Sequence, residues 1–410
     1  MSPTAPIAPE EAWSRIAPYA RPLPEERVGR RAAIGRVLAR PLAATVDQPA
    51  VDVSAMDGFA VAGPVEPGER RPVATTLPAG VAPGFVLAPP AVARIMTGAP
   101  LPLGADRVVP VERTAPGGSR DEVVFQNGVP AGEHVRRRGE ILRAGGPLLA
   151  AGTRLGPGTL SLLAGQGIGE VPVHRAPRVA ILATGDEVVA PEAAPGPGQL
   201  RDSHTDFLLA AGSTLGLAFT PLGIAPDRTD ALAPLVERGL GFDVLLLCGG
   251  VSMGEHDLAE GVLAALGYRV LIDAVAIQPG KPLVFAVAAT PPAGGSALVF
   301  GLPGNPASVM VGFWLFVRPL LRRLLGHDDA FWHGAVGTLL SAPVPAPHGR
   351  DRFLPAALTV RDGQLHAAPV VAKGSHDIAG YATAGGLVRL PAGSGPLAAG
   401  APCEVLPLPG

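Results

Sequence analysis

From about residue 178 the chain alternates between unbroken apolar runs and stretches of helical spacing. RVAILAT, LAFTPLGI, DVLLLC and RVLIDAVAI read as strands, and the spacing predicts helices near 202–215, 228–239, 256–267 and 306–325. Strands that are apolar at nearly every position are those buried on both faces, so this region predicts a three-layer α/β sheet covered on each side by helices. The first half is patterned differently. Residues 9–20 and 24–40 carry helical spacing with acidic residues near their starts, which suits the helix dipole, and predict two connected helices. From about 46 to 146, short Val-rich runs (VARIMTG, ADRVVPVE, DEVVFQNG) are separated by Pro and Gly, as in a small β-rich domain, with TAPGGSRD as a hairpin. LSLLAGQGIGEV predicts a helix with a glycine stop. After about 328, short Pro- and Gly-rich segments (AVGTLL, ALTV, LVRLP, CEVLPL) predict a final small β-barrel or sandwich.

A chain of 410 residues exceeds one ordinary core. The patterning divides it into a helical and linker part (1–45 with 147–177), a β-rich domain (46–146), an α/β domain (178–327) and a C-terminal β domain (328–410).

Three of the apolar runs in the α/β region end in glycine-broken turns: ILATGDE, LLLCGGVSMGEHD and FGLPGNPAS. A buried strand that ends in small residues and then opens a helix presents free backbone N–H groups at one sheet edge, where anions bind. In open α/β sheets that edge is also where ligands sit. Gly249 and Gly250 permit close backbone approach to a phosphate, and Ser252 offers a hydroxyl. Glu255 or Asp257 could hold Mg²⁺ together with a carboxylate of TGDE, because that ion takes one or two carboxylates plus phosphate oxygens. The simpler reading is a strand-ending turn followed by a capped helix. QPGKP and LPGNP combine proline stiffness with glycine curvature and suit a ligand cradle.

Charge sharpens the picture. Of 33 basic residues only Lys281 and Lys373 are lysine. Lysine differs from arginine in being a compact ammonium that approaches an oxyanion as a point charge. Both lysines abut a glycine in a polar turn. GKP is not a P-loop, since no GxxxxGK[ST] is present. The formal net charge of −2 gives no general attraction to nucleic acid or to an acidic membrane, and 4% aromatic residues supply no base-stacking platform. Any anion site must be local. Residues 282–317 carry no charge, but PPAGG and LPGNP cut them into pieces too short to span a membrane. Cys248 and Cys403 lack metal-site spacing, and MSPTAPIAPEEAW shows no secretory pattern, so a reducing cytoplasm is expected. The arginines at 136–138 read most simply as a solvated face.

In order along the chain stand SAMDGFA, IMTGAPLPLGAD, RRRGE, ATGDE, RDSH, GGVSMGEHD, PGKP, GLPGNPAS and KGSH. Together they resemble the MoeA/gephyrin family of molybdopterin molybdotransferases across nearly the whole chain. The sheet region alone is similar to the smaller MogA-type adenylyltransferases, which lack the SAMDG and TGAP portions. The resemblance implies a MogA-like α/β domain, a C-terminal β-barrel, and insertion of molybdate into adenylylated molybdopterin with release of AMP, assisted by Mg²⁺. It implies a homodimer with Asp57 and Thr97 reaching the ligand across the interface. Glu187, Asp227 and Asp257 would face the metal or phosphates, with Glu187 and Asp257 as metal ligands. Lys281 would meet molybdate or phosphate beside Pro303, Gly304 and Asn305, with Arg350 and Ser375 near the oxyanion. A MogA-type adenylyltransferase and molybdoenzyme acceptors are the implied partners. The chain departs from the family pattern at Gln278 (KPGKP), Ile141 (aspartate after RRRGE), Pro355 (GRxxFxR) and His204 (DSN). The alternative these raise is a divergent paralogue that binds molybdopterin as carrier or scaffold.

Overall fold

The computed structural model describes residues 5–250, 258–290 and 297–409, and the chain divides into two compact units. The smaller comprises Val28–Ile34 and Arg40–Val171; the larger comprises Met1–Arg27, Gly35–Ala39 and Pro172–Gly410.

The smaller unit is built on a six-stranded sheet in the order Arg107–Pro110, Gly58–Val61, Val92–Ile95, Arg70–Leu77, Glu122–Phe125, Thr114–Pro116. Period-two alternation sends Phe59 and Val61 to one apolar cluster and Ala60 to another on the opposite face. Gly58 is required by the pairing itself: a Cβ there would lie 2.1 Å from the Val109 carbonyl oxygen. The hairpin expected at 114–121 is present, with Thr114–Pro116 antiparallel to Glu122–Phe125.

One of the two leading helices does not form. Pro9–Ile16 is helical and closes in a 3₁₀ turn at Ala17–Tyr19, but the stretch 24–40 gives the strand Glu25–Gly29 and a 3₁₀ turn at Arg30–Ala33. Its residues alternate between exposed and half-buried, a period of two, and Gly35 takes φ +77°, which ends any helical continuation. Its half-buried charged residues are used in tertiary contacts, Arg36 with Glu26 and Arg30 with Ile168 O, rather than along one helix face.

In the larger unit the apolar runs form one sheet in the order Phe219–Ala225, Val179–Thr184, Val244–Cys248, Leu298–Leu302, Pro282–Ala288, Tyr268–Ala274. Every residue of Val179–Thr184, Val244–Cys248 and Leu298–Leu302 is buried. One face packs Val179, Ile181, Leu246, Phe285 and Phe300 against the helices Pro9–Ile16, His204–Thr214 and the helical run 306–324. The other packs Ala180, Leu182, Leu245, Leu247 and Val299 against Thr229–Leu240 and Leu258–Ala265. This is the three-layer arrangement expected from the unbroken apolar strands. The run 306–324 contains a π-type turn at Phe313–Val317, directly before Pro319, whose missing N–H would otherwise interrupt regular α-helical bonding.

RVLIDAVAI is not one strand. It splits into Tyr268–Ala274, which stays in the sheet, and Ile277–Gln278, which leaves it. Pro282–Ala288 then returns antiparallel to both its neighbours, the one reversed strand among the described residues of this sheet. No helix lies between 274 and 282, and so short a link permits only an antiparallel return.

Five strands close the C-terminal barrel: Val336–Leu340, Asp351–Arg361, Gln364–Pro369, Gly386–Leu390 and Pro402–Pro407. Closure comes from Asp351–Arg361, which pairs on one side with Gln364–Pro369 and on the other with Gly386–Leu390. Ile277–Gln278 adds a sixth, parallel strand beside Asp351–Arg352 and so ties the departing segment to the barrel.

Asp243, at the start of the central strand, accepts bonds from Arg175 Nη1 and Nη2 at 2.7 and 2.8 Å and from the Arg178 amide at 2.7 Å. Burial alone would raise its carboxyl, but these donors hold it below the ordinary value of 3.8. A depressed carboxylate stabilises the fold above that value and loses the contribution as pH falls below it. Asp243→Asn is therefore expected to cost about 1.5–3 kcal/mol at neutral pH. In urea unfolding, the gap to the parent protein should narrow steadily below about pH 3.8; a gap independent of pH would contradict this.

Candidate active site

The carboxyl ends of the parallel strands bring three expected turns to one rim. The Gly185 amide donates to Ala225 O at 3.1 Å, the Asp227 amide to Asp186 Oδ1 at 3.1 Å, and the Gly249 amide to Leu302 O at 3.1 Å. Gly249 and Gly250 are used to the full. Their φ angles are +93° and +63°, and a Cβ on Gly249 would stand 2.4 Å from Thr184 O. The Thr184 hydroxyl beneath them is buried and has no hydrogen-bond partner among the described residues. Ser252, Glu255 and Asp257 lie outside the described residues.

Carboxylates crowd this rim. Partial desolvation, then repulsion from Asp186 and Glu187, pushes the Asp227 carboxyl above 3.8. Asp186 rather than Glu187 holds the Asp227 backbone, a role the sequence did not disclose. Among the described residues no group of three or more His, Cys, Asp or Glu is arranged to hold a metal. Asp202 of RDSH caps the helix His204–Thr214 by accepting from the His204 and Thr205 amides at 3.0 and 3.1 Å. Burial lowers the His204 imidazole below 6.5, leaving it neutral at pH 7.

Two strands across the sheet, a cleft of about 540 Å³ opens between the QPGKP and LPGNP loops and the barrel. Its position follows from local structure. Gly280, at φ +105°, turns the chain, and Lys281 O accepts from the Val275 amide at 2.9 Å. The Asp351 amide donates to Ala276 O at 2.9 Å, and the Ala307 amide to Ser375 O at 3.1 Å, which fixes the KGSH loop beside the start of the helical run 306–324. Asp377 shapes that loop by accepting from the Lys373 and Gly380 amides at 2.9 and 3.1 Å.

Lys281, Arg350 and Arg352 line the cleft with Asn305, Ser308 and Ser375, while Pro303, Pro343, Val344 and Leu354 supply apolar wall. Among the described residues, no aspartate or glutamate lines it. Three formal positive charges thus share one cavity in a chain whose net charge is −2. Of the expected residues, Lys281, Pro303, Asn305, Arg350 and Ser375 meet here; Gly304, Gly249 and Gly250 do not line it. Arg352, Ser308 and Tyr381 do, and sequence reasoning passed over them. Lys373 lies outside the lining, and the two lysines therefore differ in setting.

Asp57 and Thr97, separated by 40 residues, are partners in the smaller unit. The Thr97 amide and hydroxyl donate to Asp57 Oδ1 at 2.7 and 2.8 Å. These two bonds, with the Arg94 charge, hold the exposed Asp57 carboxyl below 3.8, so it is ionised at neutral pH. Thr97→Val removes one donor and should move the Asp57 titration upward by ¹³C NMR; an unchanged titration would contradict the assignment. Arg137 and Arg138 are ion-paired with Asp52 and Asp47, a structural use that fits the simpler reading of the arginine triplet.

Residues 7–167 match the family model of the MoeA N-terminal region (domains I and II), 180–323 that of a probable molybdopterin binding domain, and 338–408 that of the MoeA C-terminal region (domain IV). The chain is 37% identical over 391 residues to a molybdopterin molybdenumtransferase of Nostoc sp., covering 92% of this chain and 87% of the relative. It is 35% identical to molybdopterin molybdenumtransferase 2 of Mycobacterium tuberculosis, covering 90% and 92%. The crystal structure of a molybdopterin biosynthesis MoeA protein from Pyrococcus horikoshii superposes with a TM-score of 0.81 at 31% identity, covering 99% of this chain and 100% of that one.

Proposed function

The chain belongs to the MoeA family, and from that membership we infer that it is an enzyme transferring molybdenum to molybdopterin, with molybdate held in the cleft at Lys281. The observation that carries this reading is the cluster of three cations with no lining carboxylate among the described residues. Molybdate is a tetrahedral dianion, and burying uncompensated cations is costly unless an anion joins them. Lys281 supplies a point charge, Arg350 a planar fork that can meet two oxygens, and Asn305, Ser308 and Ser375 neutral donors.

The proposed co-substrate is adenylylated molybdopterin, whose phosphoanhydride would lie along the glycine-rich rim at Gly249 and Gly250 with Ser252, and whose cleavage releases AMP. Partial desolvation, with the neighbouring Asp186 and Glu187 charges, pushes Asp227 up, a cost that a divalent cation there would relieve. Glu187 with Asp257 is the proposed Mg²⁺ pair, and Mg²⁺ there would neutralise the separating phosphates. Asp57 and Thr97 are proposed to act as a prealigned acceptor and donor on the ligand from a second copy of the chain. A homodimer, a cytoplasmic setting, a MogA-type adenylyltransferase as supplier and molybdoenzymes as acceptors complete the proposal, with the four-part domain division given above. No described helix is long and apolar enough to cross a membrane.

Purified protein given Mg²⁺, molybdate and adenylylated molybdopterin should release AMP in step with molybdenum bound to the pterin product. AMP release without molybdenum dependence, or neither event, would overturn the reading and favour the carrier alternative.

A further inference from the structure

We propose that Arg352 is a second guanidinium of the oxyanion site and sets the affinity of the cleft for its tetrahedral dianion. The proposal rests on the reading of the cleft given above and deepens it. Arg352 lines the same cavity as Lys281 and Arg350. Within the strand Asp351–Arg361 the half-buried Arg352 is flanked by the buried Asp351 and Phe353, as successive side chains point to opposite faces. Phe353 and Pro355 border the cleft as well, so the neighbours of Arg352 differ in chemistry rather than in access to the cavity. Asp351 is buried and ion-paired to Arg389 at 2.6 Å, and Phe353 is fully buried in the core.

The acidic neighbour in sequence is thereby committed elsewhere. The Asp351 carboxylate serves Arg389 and the Ala392 amide, and no ion pair or hydrogen bond of the Arg352 guanidinium is formed among the described residues. Across the parallel ladder its register partner is Gln278, an uncharged side chain that lines the cleft as well. Arg352 and Tyr381 line the same cleft, near enough for the Arg352 charge to reach the Tyr381 hydroxyl. Tyr381 itself donates to Phe353 O at 3.2 Å and so holds the strand that carries both arginines. An unpaired fork with five donors, in a cleft it shares with Lys281 and with Arg350, whose Nη1 donates to Ile277 O at 3.5 Å, has the chemistry to chelate two oxygens of a tetrahedral oxyanion. A lysine at the same position would supply charge without that geometry.

The test is equilibrium binding of molybdate alone, by calorimetry, to the full chain and to Arg352→Gln and Arg352→Lys, with thermal melts of each. Arg352→Gln should weaken binding at least about tenfold, the equivalent of one charge-assisted bond, with an unchanged melt. Arg352→Lys should fall between it and the parent. Binding by Arg352→Gln within about twofold of the parent would overturn the proposal. So would equal weakening by both variants together with a lowered melt, which would mark a structural role. Absence of molybdate binding by the parent protein would instead sink the reading of the cleft itself.

Discussion

Lys281→Ala is expected to cut molybdate-dependent turnover by roughly ten- to a hundredfold while leaving the unfolding midpoint in place. The size follows from the loss of one charge-assisted hydrogen bond, worth about 1.5–3 kcal/mol, where each 1.4 kcal/mol is about tenfold. Stability should hold because the corner is kept by backbone rather than by the ammonium: Lys281 O accepts from the Val275 amide, and Gly280 provides the turn. No carboxylate among the described residues ion-pairs with Lys281, so its removal strands no buried partner. Lys373→Ala is the control. Its side chain does not line the cleft, and its contribution to the KGSH loop is the backbone amide given to Asp377. Steady-state kinetics against molybdate concentration decide the matter. Equal losses in the two variants would refute the ranking, and a Lys281→Ala enzyme with parental KM and kcat would remove Lys281 from the site.

Gly249→Ala should produce the largest loss of stability of any single methyl addition at the sheet rim. The residue sits at φ +93°, where an L side chain is strained, and the new Cβ would stand 2.4 Å from Thr184 O, a backbone atom that cannot swing aside. Strain plus displacement of the strand end should cost about 2–4 kcal/mol. Gly304→Ala provides the contrast within a loop of similar composition: a Cβ there meets nothing within 4 Å, and its backbone is not left-handed. Its cost should stay within about 0.5 kcal/mol. Urea unfolding of the two variants measures both values; a Gly249→Ala protein as stable as Gly304→Ala would show that the turn relaxes freely.

Much of the central sheet was legible because VAILAT, VLLLC and LVFGL are apolar without interruption, and only burial on both faces tolerates that. The helix misread at 24–40 shows the converse. Charged residues can mimic helical spacing, and Gly35 in a left-handed conformation outweighed them. The reversed strand Pro282–Ala288 was hidden because direction is set by the length of a connection, and RVLIDAVAI gives no sign that it breaks at Val275. Lys281 stood out by its rarity among arginines. Arg352 did not, for the same reason: in a chain where arginine is the default cation, one more carries no signal until the fold brings it to a cavity. Ser308 and Tyr381 reach the cleft through a helix and a short loop helix, contacts that only the tertiary fold creates. Asp57 and Thr97 read singly as turns, and their partnership across 40 residues depends on sheet register.

The departures at Gln278 and Pro355 look different in three dimensions. Both line a cleft that retains three cations and, among the described residues, no carboxylate, so the electrostatic demand for an anion persists without them. Ile141 and His204 are not among the cleft's lining residues.

The most direct measurement is anomalous diffraction at the molybdenum edge from crystals soaked in molybdate. The account predicts one molybdenum peak in the cleft, with its oxygens within hydrogen-bonding distance of Lys281 Nζ and the Arg350 guanidinium. A peak bound at the carboxylate rim instead, or a cleft that stays free of molybdenum at saturating molybdate, would contradict it.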